Sequence, residues 1–105
     1  MDEKRYRELA DAALRDILDL FDEVDVDDAD AESSGDVITV RYRDGSRLVV
    51  NTQSPAKQMW LAGAGHGWHF SWDEAKKAWL HDKGTGDELF AILRKITKDT
   101  VGVDL

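Results

Sequence analysis

The stretch that decides the fold is Val37-Ile38-Thr39-Val40-Arg41-Tyr42-Arg43, then Asp44-Gly45, then Ser46-Arg47-Leu48-Val49-Val50-Asn51-Thr52-Gln53, closing on Ser54-Pro55. Two runs rich in β-branched residues flank an Asp-Gly pair, which readily supplies the positive φ angles of a two-residue hairpin turn. The spacing predicts an antiparallel hairpin of strands Val37–Arg43 and Ser46–Gln53. With Ile38, Val40, Tyr42, Leu48 and Val50 facing a core, alternation sends Arg47, Val49, Asn51 and Gln53 to the opposite face. Pro55 has no amide hydrogen to give to a ladder and ends the second strand.

Toward the C-terminus, Gln58–Ala62 reads as a third strand, with Met59 and Leu61 inward and Gln58, Trp60 and Ala62 outward. After Gly63-Ala64-Gly65, two further short strands are expected over Trp68–Trp72 and Lys77–His81, joined by a turn around Asp73 to Lys76. Trp68, Phe70, Trp72 and Trp79 are expected to supply much of the core, because each ring buries a large apolar area. Thr85-Gly86-Asp87-Glu88 has capping-box spacing, and Leu89, Phe90, Ile92, Leu93 and Ile96 then repeat helically to about Lys98.

Toward the N-terminus, Tyr6, Leu9, Ala10, Ala13, Leu14, Ile17, Leu20, Phe21 and Val24 recur at three- and four-residue steps, the pattern of an amphipathic helix. Glu8, Asp11, Asp16, Asp19, Asp22 and Glu23 fall opposite the apolar stripe, and only Leu18 breaks the segregation. Acids continue past the helix as Asp25, Asp27, Asp28, Asp30 and Glu32, leading to a Ser33-Ser34-Gly35 turn. The order helix, antiparallel strands, helix predicts an α+β fold. Its form is a two-layer α–β sandwich, with both terminal helices on one face of an antiparallel sheet, in a single domain over residues 1–105.

Charge is divided unevenly. Met1 to Asp36 holds 14 acids and four bases, and the remainder holds 8 acids and 10 bases, for a net charge of −8. An N-terminal third this acidic repels nucleic acid and anionic lipid surfaces and attracts cations and basic protein surfaces. The chain has no cysteine, which excludes a disulfide, a thiolate zinc site and an iron–sulfur cluster of its own. It shows no apolar signal core, and no apolar run approaches spanning length, so a soluble cytoplasmic protein is expected.

Asn51-Thr52-Gln53-Ser54-Pro55-Ala56-Lys57-Gln58-Met59-Trp60-Leu61 resembles the N-x-Q-x-P-x-x-Q-x-W-L signature of the frataxin family. The neighbouring Asp44-Gly45 hairpin, the Gly67-x-His69-Phe70 strand, Trp79 and the Gly-containing loop before the last helix fit the same family, and the likeness spans nearly the whole chain. The resemblance, to the bacterial CyaY-type branch, implies two helices against an antiparallel sheet, as periodicity alone also predicts. It further implies an acidic ridge on the first helix and the following edge strand that binds iron weakly, and a partner-binding sheet surface centred on an exposed Trp. The implied partners are the cysteine desulfurase and the scaffold protein of iron–sulfur cluster assembly, with iron-dependent control of the desulfurase, iron donation to the scaffold, or both.

Two candidate sites follow. The ridge consists of Asp16, Asp19, Asp22, Glu23, Asp25, Asp27, Asp28, Asp30 and Glu32. Carboxylate oxygens satisfy iron, calcium, magnesium and manganese, and clustered acids concentrate cations without a preformed cage, so weak multisite binding is expected. Neither Asp25-x-Asp27 nor Asp28-x-Asp30-x-Glu32 continues as an EF-hand loop. The alternative is a solvated helix face serving solubility. The second candidate groups Asn51, Gln53, Gln58 and Trp60, with His69 added by the resemblance. Amides around an exposed indole suit a binding hot spot, whereas a one-residue slip would bury Trp60 in the core. His66, His69 and His81 are expected to be partly exposed hydrogen-bonding side chains, with haem or metal ligation the lesser option. No catalytic constellation can be assembled. A non-enzymatic, metal-responsive binding module is the expectation, as a monomer or with metal-dependent oligomers. The rivals are a ferrous-iron oxidase and store, and an acidic protein-binding domain without a metal role.

Overall fold

The computed structural model describes residues 1–105. Helix α1 covers Glu3–Asp22. Six strands follow, β1 Ala29–Ser34, β2 Val37–Tyr42, β3 Arg47–Gln53, β4 Gln58–Gly63, β5 His66–Asp73 and β6 Ala78–His81, before helix α2, Leu89–Val101. The strands pair in chain order in one wholly antiparallel sheet. Both helices pack on one face, so the expected two-layer sandwich is the fold adopted. Between the layers, 19 buried apolar residues form a continuous core.

Periodicity misses β1, the edge strand after the first helix that only the family resemblance implies. Asp, Glu, Ala and Ser are poor strand formers, and this segment is held by pairing with β2, from Ala29 opposite Tyr42 to Ser34 opposite Val37. Ala29 is buried and Ala31 packs against the core, so alternation leaves Asp30 and Glu32 on the sheet's outer face. The β2–β3 connection is also longer than expected. Tyr42 and Arg47 end the strands, the Gly45 amide donates to the Tyr42 carbonyl and the Tyr42 amide to the Ser46 carbonyl. Only Gly45 of the expected pair has positive φ, at 88°. The connection is therefore a three-residue turn with a left-handed glycine, locked by Asp44, whose carboxylate accepts from the Ser46 amide and hydroxyl. Hydrogen bonds from Ser46 hold the Asp44 carboxyl below its ordinary range.

Helix ends differ from the periodic pattern because caps, not apolar spacing, set them. Asp2 caps α1 by accepting from the Arg5 amide at 2.7 Å, which starts the helix before the first apolar residue. For α2 the capping box does not form. Glu88 is itself the N-cap and accepts from the amides of Phe90 and Ala91, while the Thr85 hydroxyl bonds the Asp87 amide in the preceding turn. The helix continues three residues past Lys98 to Val101 and ends where Gly102 turns left-handed. Of the four expected core aromatics, Phe70 and Trp79 are buried and Trp68 and Trp72 pack partly exposed at its margin.

Two tyrosine hydroxyls, one buried and one part-buried, tie the layers together. Tyr42 of β2 and Thr97 of α2 share a hydrogen bond of 2.8 Å. Tyr6 of α1 donates to the Gln58 carbonyl at 2.8 Å and accepts from the Gln53 amide at 3.1 Å. Burial raises both phenol pKa values above the ordinary tyrosine value.

Candidate functional site: an amide and aromatic sheet face beside an acidic ridge

The outer face of the sheet carries no helix. Register sets Asn51 opposite Trp60 and Trp60 opposite His69, and in the adjacent row Gln53 opposite Gln58 and Gln58 opposite Ser71. All five expected face residues thus lie together, in the register that keeps Trp60 out of the core. Trp60 is half-buried all the same. Its ring stacks on His69 with centroids 4.2 Å apart and planes 12° from parallel, and its indole N–H donates to the Gln58 side-chain carbonyl at 2.8 Å. The Gln58 amide donates in turn to the Ser71 hydroxyl and to Asp82, each at 3.2 Å. An indole fixed in this way loses little rotamer freedom when a partner covers it.

Asp82, Ser71 and His81 were not among the expected residues. His81 is the last residue of β6, as expected, with a hydrogen-bonded side chain 10% exposed. Its Nδ1 accepts from the His69 amide at 3.2 Å, and Asp82 Oδ2 lies 3.9 Å from His69 Nδ1. This follows from long-range register, which places residue 82 beside residues 58 and 69; no local pattern marks it. Three residues apart in β5, His66 and His69 point to opposite faces, His66 lying near Trp68 at 5.9 Å between rings, and do not converge.

The nine ridge carboxylates run from the solvent side of α1, through the turn after it, and over the sheet edge on β1. Three are engaged: Asp16 with Arg15 at 3.8 Å, Glu32 with Arg41 at 3.8 Å, and Asp28 with Arg43. Asp25 accepts the Asp27 amide. Asp19, Asp22, Glu23, Asp25 and Asp27 are exposed and carry no basic partner. No three His, Cys, Asp or Glu side chains converge as a metal cage. Oxygen donors of this kind suit hard cations held loosely, with solvent completing the coordination. Asp16 and Asp19 also line an open groove of about 520 Å³ with Trp72, Trp79, Phe90 and Arg94, apart from the acids of the turn and β1.

Compared with known proteins, residues 1–103 match the model of the frataxin-like domain. The chain belongs to the frataxin-like family. Among curated relatives of this frataxin-like chain, a Pseudomonas aeruginosa protein named iron-sulfur cluster assembly protein CyaY is 40% identical, over 100% of this chain and 95% of its own. A protein of the same name from Azotobacter vinelandii is 38% identical over 98% and 92%. Among solved structures, the frataxin of Psychromonas ingrahamii superposes with a TM-score of 0.88 at 25% identity, covering 100% and 96% of the two chains. Trimeric yeast frataxin, described as complexed with ferrous iron, superposes at 0.77 with 28% identity, over 90% of this frataxin-like chain and 87% of the yeast one. No helix here is long and apolar enough to cross a membrane.

Proposed function

We propose that this protein serves iron–sulfur cluster assembly in the bacterial cytoplasm as a metal-responsive binding module without catalytic activity of its own. The run of exposed, unpaired carboxylates at Asp19, Asp22, Glu23, Asp25 and Asp27 carries the reading. These groups are open both to ferrous iron, as cargo or signal, and to the basic surface of a cysteine desulfurase. The Trp60 face is a second contact, suited to the scaffold protein. Iron on the ridge would then change how the desulfurase docks, or pass to the scaffold beside it. The names of the curated relatives support the pathway, and the ferrous complex of the yeast protein supports the metal.

The test is a cluster-assembly assay with desulfurase and scaffold. Its rate is followed across iron concentrations with this protein and with Asp19→Asn, Asp22→Asn, Glu23→Gln, Asp25→Asn combined. An iron-dependent change in rate that the combined variant loses is the expected result. Equal behaviour of the two proteins overturns the ridge as the working surface. Ferrous oxidation by the pure protein above buffer, abolished by the same substitutions, would instead make it an oxidase and store.

A further inference from the structure

On the same outer face, Arg41 of β2 and Arg47 of β3 stand directly opposite one another, and both are exposed. Like charges paired across a sheet repel and destabilise it. Arg41 is compensated on its other side, by Glu32 at 3.8 Å and by Asp30 opposite it across the β1–β2 ladder, but Arg47 has no carboxylate partner although acids outnumber bases 22 to 14. A pair of basic side chains, one of them without an acid partner, therefore sits beside the hairpin turn on the face that carries Trp60. Between them run Thr39, Val49 and Val37, the last 38% exposed despite its apolar side chain. Asn51, the neighbour of Trp60, lies four positions along β3 from Arg47, a span of about 13 Å at about 3.3 Å per strand residue.

We propose that this face takes an extended, acidic segment of a partner protein, its carboxylates on Arg41 and Arg47 and an apolar side chain about four residues away against Trp60. The inference rests on the reading of the Trp60 face as a partner surface and adds the partner's chemistry. Charge complementarity selects the occupant. Asp28, Asp30, Glu32 and Asp44 bound the arginines on two sides, so a short acidic run fits while a continuous polyanion such as nucleic acid meets repulsion as it leaves the patch. The ridge seeks a basic partner and this corner an acidic one, so the two surfaces can be occupied together by different proteins.

The experiment uses the full chain and a fluorescein-labelled synthetic peptide, with three acids, a four-residue Ser/Thr spacer and a leucine. Titration is followed by fluorescence anisotropy at low and physiological salt. A control peptide carries lysines for the acids, and an oligothymidylate of matched charge is the third probe. The expected result is binding of the acidic peptide and not of the oligonucleotide, weakened about three-fold by either Arg41→Gln or Arg47→Gln and about ten-fold by both, and weakened also by Trp60→Ala, while binding of the lysine peptide, which belongs to the ridge, is unchanged by all three substitutions. Arg47→Gln should not lower the melting temperature, because it removes a repulsive pair. Absence of acidic-peptide binding, equal binding by the double arginine variant, or tighter binding of the oligonucleotide overturns the proposal. Loss of binding in Trp60→Ala with the arginine variants unaffected keeps the face and refutes the acid preference. Indifference to all three substitutions refutes the face itself. Concentration-dependent self-association in sedimentation, abolished by the arginine substitutions, would make the occupant a second copy and overturn the proposal.

Discussion

Replacing Tyr6 with phenylalanine keeps the buried ring and removes the hydroxyl that joins α1 to the β3–β4 connection. That oxygen serves two backbone groups at once, the Gln58 carbonyl at 2.8 Å and the Gln53 amide at 3.1 Å. Gln53 and Gln58 are the opposed residues that close β3 on β4 around Ser54-Pro55-Ala56. A buried backbone group left without its hydrogen bond costs about 1–3 kcal/mol. Both groups are only partly buried, so water recovers some of this and the sum is about 2 kcal/mol. In a domain of this size each kcal/mol moves the melting temperature by about 4–8 °C, which predicts a fall of roughly 10 °C. Thermal and urea unfolding followed by circular dichroism would measure it, with amide exchange at Gln53 as the local readout. The Trp60 indole hangs from the Gln58 side chain, so partner affinity should fall with the same substitution. A melting temperature within about 2 °C of the parent, with the Gln53 amide still protected, would refute the assignment of this hydroxyl as the tie.

Acid titration should separate Glu74 from its neighbours. Hydrogen bonds from Arg5, at 2.7 Å, and then from the Trp72 indole hold its carboxyl below the ordinary 4.5. A depressed pKa stabilises the fold above the ordinary value and loses that contribution as pH falls through the folded-state value. Glu74→Gln should therefore melt lower than the parent at neutral pH and converge with it in acid; curves that stay parallel would exclude the linkage. Tyr42→Phe leaves the buried Thr97 hydroxyl without a partner and should cost about 1–3 kcal/mol, while Tyr42→Phe with Thr97→Val should recover most of it, in denaturant titrations of all four proteins. Millimolar calcium or ferrous iron should raise the melting temperature more than sodium at matched ionic strength, because ridge acids that repel one another in the native state bind divalent cations there. An equal response to sodium would reduce the ridge to a screened charge.

How much was legible depended on where the determining contacts lie. The β2–β3 hairpin and β4 could be read because Ile38, Val40, Leu48, Val50, Met59 and Leu61 alternate strictly and one face is buried, which forbids a slipped register. The outward set Asn51, Gln53, Gln58 and Trp60 came with that alternation. Strand β1 was illegible to pattern reading, and came only with the family resemblance, because its pairing partner, not its composition of Asp, Ala, Glu and Ser, makes it a strand. The start of α1 and the cap of α2 escaped a periodicity reading because Asp2 and Glu88 act through hydrogen bonds that apolar spacing does not register. His81 and Asp82 entered the site through tertiary register alone, and the opposition of Arg41 and Arg47 becomes visible only once the hairpin turn is known to hold three residues rather than two.

Strand β1 is the end of the sheet, and one row of its backbone donors and acceptors has no further strand to meet. Such a border is a template on which another chain can zip up, and charged side chains are what keep it from being used. Here the guards are Asp30 and Glu32, members of the same acidic set that suits cations. If cations load the ridge as proposed, they would neutralise the same carboxylates that guard the border, and neutralising Asp30 and Glu32 to weaken cation binding would unguard it as well.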